Sequence, residues 1–279
     1  MRNPTDLIHT RIWLEEPEAD NPFAAARCYC SGYDVFGELL GNVSWVQYLY
    51  LMFRLELPST AQARMLEALA VAAAHPGIRD HSVRAAMDAG VGGSTRASAL
   101  MAALAVGAGN LGGAHEAVAM IRLWSRLGTD LEGWRAHIAG GHEGERSDVW
   151  FELEHLPGFD PNGVSCPQPV RQTLALLASH CPAGRVAWLR DQRDALEQAA
   201  GYPLAMSGVV ATALLDLGFD EAQAEMLFLL LRLPGAAAQA IEQEGHGWRH
   251  YPFFGGDLKP MADDAYRALM ESLEKRDGR

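Results

Sequence analysis

The sequence predicts an all-α fold, on three observations. Strong helix formers recur with apolar residues at helical spacing along most of the 279 residues. Runs that alternate β-branched and polar residues are almost missing, so little strand is expected. Glycine and proline gather in three places instead of punctuating the chain throughout. In chain order, residues 61–74 read AQARMLEALAVAAA, a helix that Ser59 or Thr60 caps after Pro58. Helices are likewise predicted over 96–107, 114–127, 170–180, 186–200 and 209–217. Another is predicted over 221–233, with Asp220 as its N-cap, and a last one over 260–274, with proline in its first turn. The run 227–231 is aliphatic throughout and is assigned to the core.

Composition narrows the function classes. Acidic residues outnumber basic ones 35 to 23, a net charge of −12 that repels phosphate backbones and argues against a nucleic-acid partner. Lys259 and Lys275 are the only lysines, so positive charge is almost all guanidinium, suited to bidentate grip on carboxylates and phosphates. Cys28, Cys30, Cys166 and Cys181 are too few and scattered for a disulfide framework or a zinc site and read as incidental thiols. The first twenty residues hold no apolar signal core, and the longest apolar runs are short for a bilayer. A soluble cytoplasmic protein with no membrane partner is expected.

The breaker-rich stretches are the candidate functional segments. Gly107 to Gly113 forms a glycine-rich turn that opens a helix; alone, it could seat an anion on free backbone N–H groups or simply permit close packing. Residues 140–169 carry His142, Glu143, Glu145 and His155, whose spacing fits no metal-ligand pattern and reads as a solvated loop. Residues 245–260 combine His246, Trp248, Arg249, His250 and Tyr251.

Taken in order, Gly32-Tyr33-Asp34, Trp45 to Leu49, Leu57-Pro58, the histidine at 75, Leu111-Gly112-Gly113-Ala114-His115-Glu116, Pro157-Gly158-Phe159, Met206-Ser207-Gly208 and Arg232-Leu233-Pro234-Gly235 resemble the citrate synthase family, in particular its short citryl-CoA lyase-like branch. The resemblance spans most of the chain. It implies a helical dimer whose subunits have a large and a small domain, with substrates in the cleft between them. It also implies chemistry that joins an acyl-CoA to a 2-oxo acid or reverses that step. There a carboxylate removes a proton beside the thioester, one histidine stabilises the enol and another polarises the acceptor ketone. The ligands implied are a coenzyme A thioester and a small polycarboxylate, with no permanently bound cofactor and no metal.

At each of these catalytic positions the chain departs from the family. Leu111 stands where H-G-G-A begins with histidine, Pro161 where G-F-G-H ends in histidine, and Leu204 where N-V-D-x-x-S-G carries the aspartate base. None of these side chains can transfer a proton. The binding positions are better kept: Arg232 matches an arginine that grips carboxylate, and Arg249 lies where an arginine can be lent to the neighbouring subunit. Arg171 is shifted by one residue from a third such position, and Gln239 replaces a family histidine. His75 falls at a histidine position near the acceptor site, with a polar turn as the equal alternative.

Two functions stay open. One is a catalytically degenerate or regulatory subunit, homodimeric or paired with an intact citrate synthase-like paralogue. The other is an enzyme with altered condensation or cleavage chemistry, using His115, His142 or His155, and with Glu116 beside His115 as acid and base. The plainer assignment for His115 is structural. The large domain is expected at residues 1–116 and 229–279 and the small one at 117–228. A dimer is expected because helices 96–107 and 114–127 are apolar on more than one face and must be covered on each.

Overall fold

The computed structural model describes residues 10–140 and 155–252. The predicted helix 260–274 and His142 lie outside the described residues. A small antiparallel sheet precedes the helices, in the order β1 (Trp13–Pro17), β2 (Ala25–Cys30), β3 (Tyr33–Asp34). It is an addition to the all-α expectation. The Ala25–Cys30 segment holds no β-branched residue, so the local pattern gives little sign of a strand. At the hairpin turn Ser31 and Gly32 both take positive φ, 51° and 91°, the geometry of a two-residue type I′ turn. Cys30, at the end of β2, packs with Leu39 and Leu51 as a small satellite core.

A π-helical turn, Val35–Leu39, follows, and then ten α-helices among the described residues: α1 (Trp45–Arg54), α2 (Thr60–Ala73), α3 (His81–Val91), α4 (Arg96–Gly107), α5 (Ala114–Leu127), α6 (Leu131–Ala139), α7 (Gln168–His180), α8 (Arg185–Ala200), α9 (Met206–Asp216) and α10 (Glu221–His246). The helices α2, α4, α5, α7, α8 and α9 agree with the expected segments to within a few residues, and α10 starts where expected. Ser59 caps α2 and Asp220 caps α10, each in a reciprocal box with a glutamine three residues on. The three helices that the pattern did not predict have local reasons for their weak signal. α3 holds Gly90, α6 is short and holds Gly133, and α1 is rich in aromatic residues.

The expected end of α10 at Leu233 is corrected: the helix runs through Pro234 to His246. Pro234 has no N–H to give. The N–H of Gly235 is also diverted, donating 2.8 Å to the carbonyl of Ala74 at the end of α2. The lost ladder bond thus becomes a tie between helices. A side chain at Gly235 would lie 2.5 Å from that same carbonyl oxygen, so only glycine allows the contact. Burial against α3, α4, α5 and α9 then outweighs the break. By length and composition α10 is long and apolar enough to cross a membrane, unlike the shorter runs read from sequence. In this fold its apolar face, including Leu227, Phe228, Leu231, Ala236 and Ala240, is buried in the core.

The main core gathers α1, α2 and α5 to α10 around Trp124, Trp134 and Trp188. Trp124 meets the other two edge-on, with centroids 5.2 and 5.4 Å away. The buried indole N–H groups are satisfied, Trp124 by the Thr212 hydroxyl and Trp134 by the Gly128 carbonyl, both at 2.9 Å. A second cluster joins α3, α4 and α10 through small residues such as Ala86, Ala99, Ala103 and Ala240. There, a Cβ on Gly90 would fall 2.4 Å from the Ala240 carbonyl oxygen.

Candidate functional site

The glycine-rich turn before α5 folds tightly. A Cβ on Gly113 would lie 2.2 Å from the carbonyl oxygen of Gly109, and Gly112 has φ +64°. The turn aims the first residues of α5 inward. Glu116, in that first turn, is almost fully buried at 1% exposure. Its carboxylate accepts from the N–H of Gly112 in the turn, the N–H of Gly158 at 2.8 Å and the hydroxyl of Ser207 at 2.9 Å. His155 Nε2 lies 3.8 Å from the same oxygen and has no hydrogen-bond partner, although it too is buried. A carboxylate at a helix N-terminus is favoured by the free amides and the helix dipole. Here it also fastens three segments far apart in sequence.

Those segments are the ones that carry the resemblance. Leu111 to Glu116 meets Gly158-Phe159 and Ser207-Gly208 at one carboxylate. The last two also meet directly: Phe159 bridges Leu204 as a short antiparallel pair, Asp160 N–H donates to Pro203 O at 2.8 Å, and Ala205 N–H donates to Gly158 O at 2.9 Å.

The three residues expected at the family's catalytic positions are placed as follows. Leu204 is fully buried, and its backbone N–H donates to Glu197 Oε1 at 3.0 Å, so its side chain is core. Leu111 stands half exposed on the turn, and Pro161 is half-buried two residues beyond Phe159. His115 is partly buried, and burial first, then the charge of Arg122, holds its imidazole below the ordinary value.

Arg232, on α10, is buried beside this turn. It donates to the Gly112 carbonyl at 2.8 Å, lies 5.0 Å over the Phe228 ring and pairs with the Asp80 carboxylate. Burial pushes its guanidinium below the ordinary value, and Asp80 pulls it back up. His75 is exposed at the end of α2; its Nδ1 accepts from the N–H of Gly77 at 3.0 Å and it abuts Gly235. Arg249 is exposed on a short helical turn after α10, 5.4 Å over the Trp248 ring. The structure thus groups Glu116, His155, Ser207 and Arg232 around the Gly112 turn and sets His75 against α10 at Gly235. Asp80 does not stand out in the sequence. Its signal is an Asp two residues before a serine at the start of a helix, an N-cap pattern that also serves to hold an arginine. Among the described residues no group of three or more His, Cys, Asp or Glu side chains is placed to hold a metal ion.

No family model and no curated protein sequence matches the chain. Solved structures do. Citryl-CoA lyase from Hydrogenobacter thermophilus aligns over 92% of this chain and 95% of its own at a TM-score of 0.69 and 18% identity. ATP citrate lyase from Methanothrix soehngenii, solved with citrate and coenzyme A, aligns over 95% of this chain at a TM-score of 0.70 and 16% identity. The chain spans only 43% of that longer protein. Citrate synthase from Thermotoga maritima aligns over 80% of this chain and 60% of its own at a TM-score of 0.59 and 17% identity. The chain therefore carries the citrate synthase-like helical fold, matched over nearly its whole length by citryl-CoA lyase.

Proposed function

We propose that this chain is a degenerate or regulatory subunit of the citrate synthase and citryl-CoA lyase type, without the standard acyl-CoA chemistry of its own. The observation that carries the proposal is Leu204. At the position matched to the base it presents a hydrocarbon side chain sealed in the core, where no proton can be accepted and no substrate can reach. Leu111 and Pro161 add the loss of both electrophilic histidines. Restoring Leu111→His alone leaves activity absent, because groups that act as a unit fail together.

The same proposal includes a dimer, homomeric or with an intact paralogue, in a soluble cytoplasmic setting. It includes the two-domain division at residues 1–116 with 229–279 and 117–228, a coenzyme A thioester or small polycarboxylate as ligand, and Arg249 lent across the interface. Support for the dimer comes from Met101 and Val106 on α4 and Leu230 and Ile241 on α10, which stand exposed on helices whose other faces are buried. Support for the ligands comes from the neighbour solved with citrate and coenzyme A. The test is co-expression with an intact family member followed by Arg249→Ala. A complex whose KM for the acceptor rises on that substitution supports the shared arginine, and unchanged kinetics contradict it.

A second reading is favoured by one observation. His155 Nε2 is buried, without a hydrogen-bond partner, and faces Glu116. In this reading the chain is an enzyme of altered carbon–carbon chemistry, in which Glu116 orients His155 as acid or base. Acyl-CoA consumption that His155→Gln abolishes without loss of folding would establish it.

A further inference from the structure

Arg232 is buried, alone among the arginines of the described residues. A buried cation needs an anion, and this one finds it in its own chain, in Asp80, 152 positions earlier. The same carboxylate is gripped from its other side. Asp80 Oδ1 accepts from the backbone N–H groups of Ser82 at 2.9 Å and Val83 at 3.3 Å, and from the Ser82 hydroxyl. A guanidinium, two amides at a helix start and a hydroxyl are the donors that hold a free carboxylate in a binding site. Here the occupant is covalently supplied. The residues that lead to it, Pro76, Ile78 and Arg79, are exposed, so the carboxylate is brought in on a surface connection. A cavity of about 10 Å³, lined by Ser82, Gly107, Leu229 and Arg232 among others, leaves no room there for a second anion.

We propose that Asp80 is a built-in carboxylate that fills an anion site at Arg232, and that it determines that this locus refuses free small carboxylates, di- and tricarboxylates included. The proposal narrows the functional reading, on which it rests for Arg232 as the carboxylate locus: of the two ligands named there it leaves this chain the coenzyme A thioester and assigns the small polycarboxylate to an intact partner's site. Because Arg232 also donates to Gly112 O, the occupant of this site is tied directly to the turn that bears Leu111 and holds Glu116.

The test is calorimetric titration of citrate and malonate into the full chain at fixed ionic strength, with chloride as the control anion. Asp80→Ser keeps an N-cap oxygen for α3 and removes the charge. The wild type is expected to show no saturable binding at millimolar ligand. Asp80→Ser is expected to bind at least about tenfold more tightly, the worth of one charge-assisted hydrogen bond. Arg232→Gln added to it is expected to abolish the gain. Equal binding by wild type and Asp80→Ser, no gain in Asp80→Ser, or a gain that survives Arg232→Gln would each overturn the proposal. Should Asp80→Ser fold only when acetate or citrate is supplied, and not chloride, that rescue counts as the gain. Should it fail to fold in any of them, Asp80→Asn takes its place in the same titrations: a gain lost on Arg232→Gln supports the proposal, and no gain overturns it. Turnover by the wild type is measured separately: binding gained by Asp80→Ser supports this inference even if the wild type proves to be an enzyme.

Discussion

Gly158 and Gly208 touch backbone to backbone: a Cβ on Gly158 would lie 2.8 Å from the Cα of Gly208, and one on Gly208 would lie 2.5 Å from the Gly158 carbonyl oxygen. Gly158 also has φ +82°, where a side chain is strained whatever the space. Gly158→Ala is expected to cost about 2–4 kcal/mol, strain and overlap together. Gly245→Ala, in α10 with open space around it, is expected to be neutral or stabilising by about 0.5 kcal/mol. Chemical denaturation of the two variants measures the contrast. Equal effects would show that the close approach is not a constraint.

Glu116 satisfies two backbone donors and a hydroxyl in a buried setting. Glu116→Ala is expected to cost about 3–5 kcal/mol, since it leaves those donors buried and unpaired. Ser207→Ala removes one donor and leaves the other two bonds, so a loss of about 1 kcal/mol is expected. Unfolding midpoints that place the two variants together would contradict the hub.

Cys166 is buried, and burial first, then Glu197, pushes its thiol up to about 11 from an ordinary 9.0. The protonated thiol is the form the fold retains. Its contribution is therefore complete below about pH 9 and is lost as pH rises toward 11, because the unfolded chain releases that proton first. Stability of the wild type is expected to fall over that window and to fall less in Cys166→Ala. Modification of Cys166 by iodoacetamide at pH 8 as fast as that of a free thiol would contradict the placement.

Met101, Val106, Leu230 and Ile241 leave apolar surface on α4 and α10. A dimer at micromolar concentration is expected by light scattering, and Ile241→Asp is expected to weaken it. A monomeric wild type under those conditions would rule the dimer out.

The helices are legible in the sequence where local preference and burial agree. α4 and α5 match their expected bounds because alanine and leucine fill them and glycine turns bound them. α10 extends past its expected end because the stop signal of Pro234 is overridden by a carbonyl on α2 that no local pattern reveals. The sheet escapes a local reading because Ala25–Cys30 has weak strand preference and is held by its pairing and by Cys30 in the satellite core. At the site, the ordered motifs point to Gly112, Gly158 and Ser207, and the structure joins them at Glu116. In the sequence Glu116 stands only as a companion of His115, because its partners lie 42 and 91 positions away. Asp80 offers only an N-cap pattern there for the same reason: its further role comes from Arg232, 152 residues on.

The chain has a citrate synthase-like fold, and the proposal that it lacks acyl-CoA chemistry of its own is tested by one assay. The purified chain is incubated with acetyl-CoA and oxaloacetate, and separately with citryl-CoA, while free CoA, citrate and acetyl-CoA are followed. Rates equal to the protein-free background in both directions are expected under the proposal, which sets Leu111, Pro161 and Leu204 where the family has its proton-transfer groups. Citrate and CoA appearing in equal amounts above background, or citryl-CoA cleaved to acetyl-CoA and oxaloacetate, would contradict that loss of chemistry.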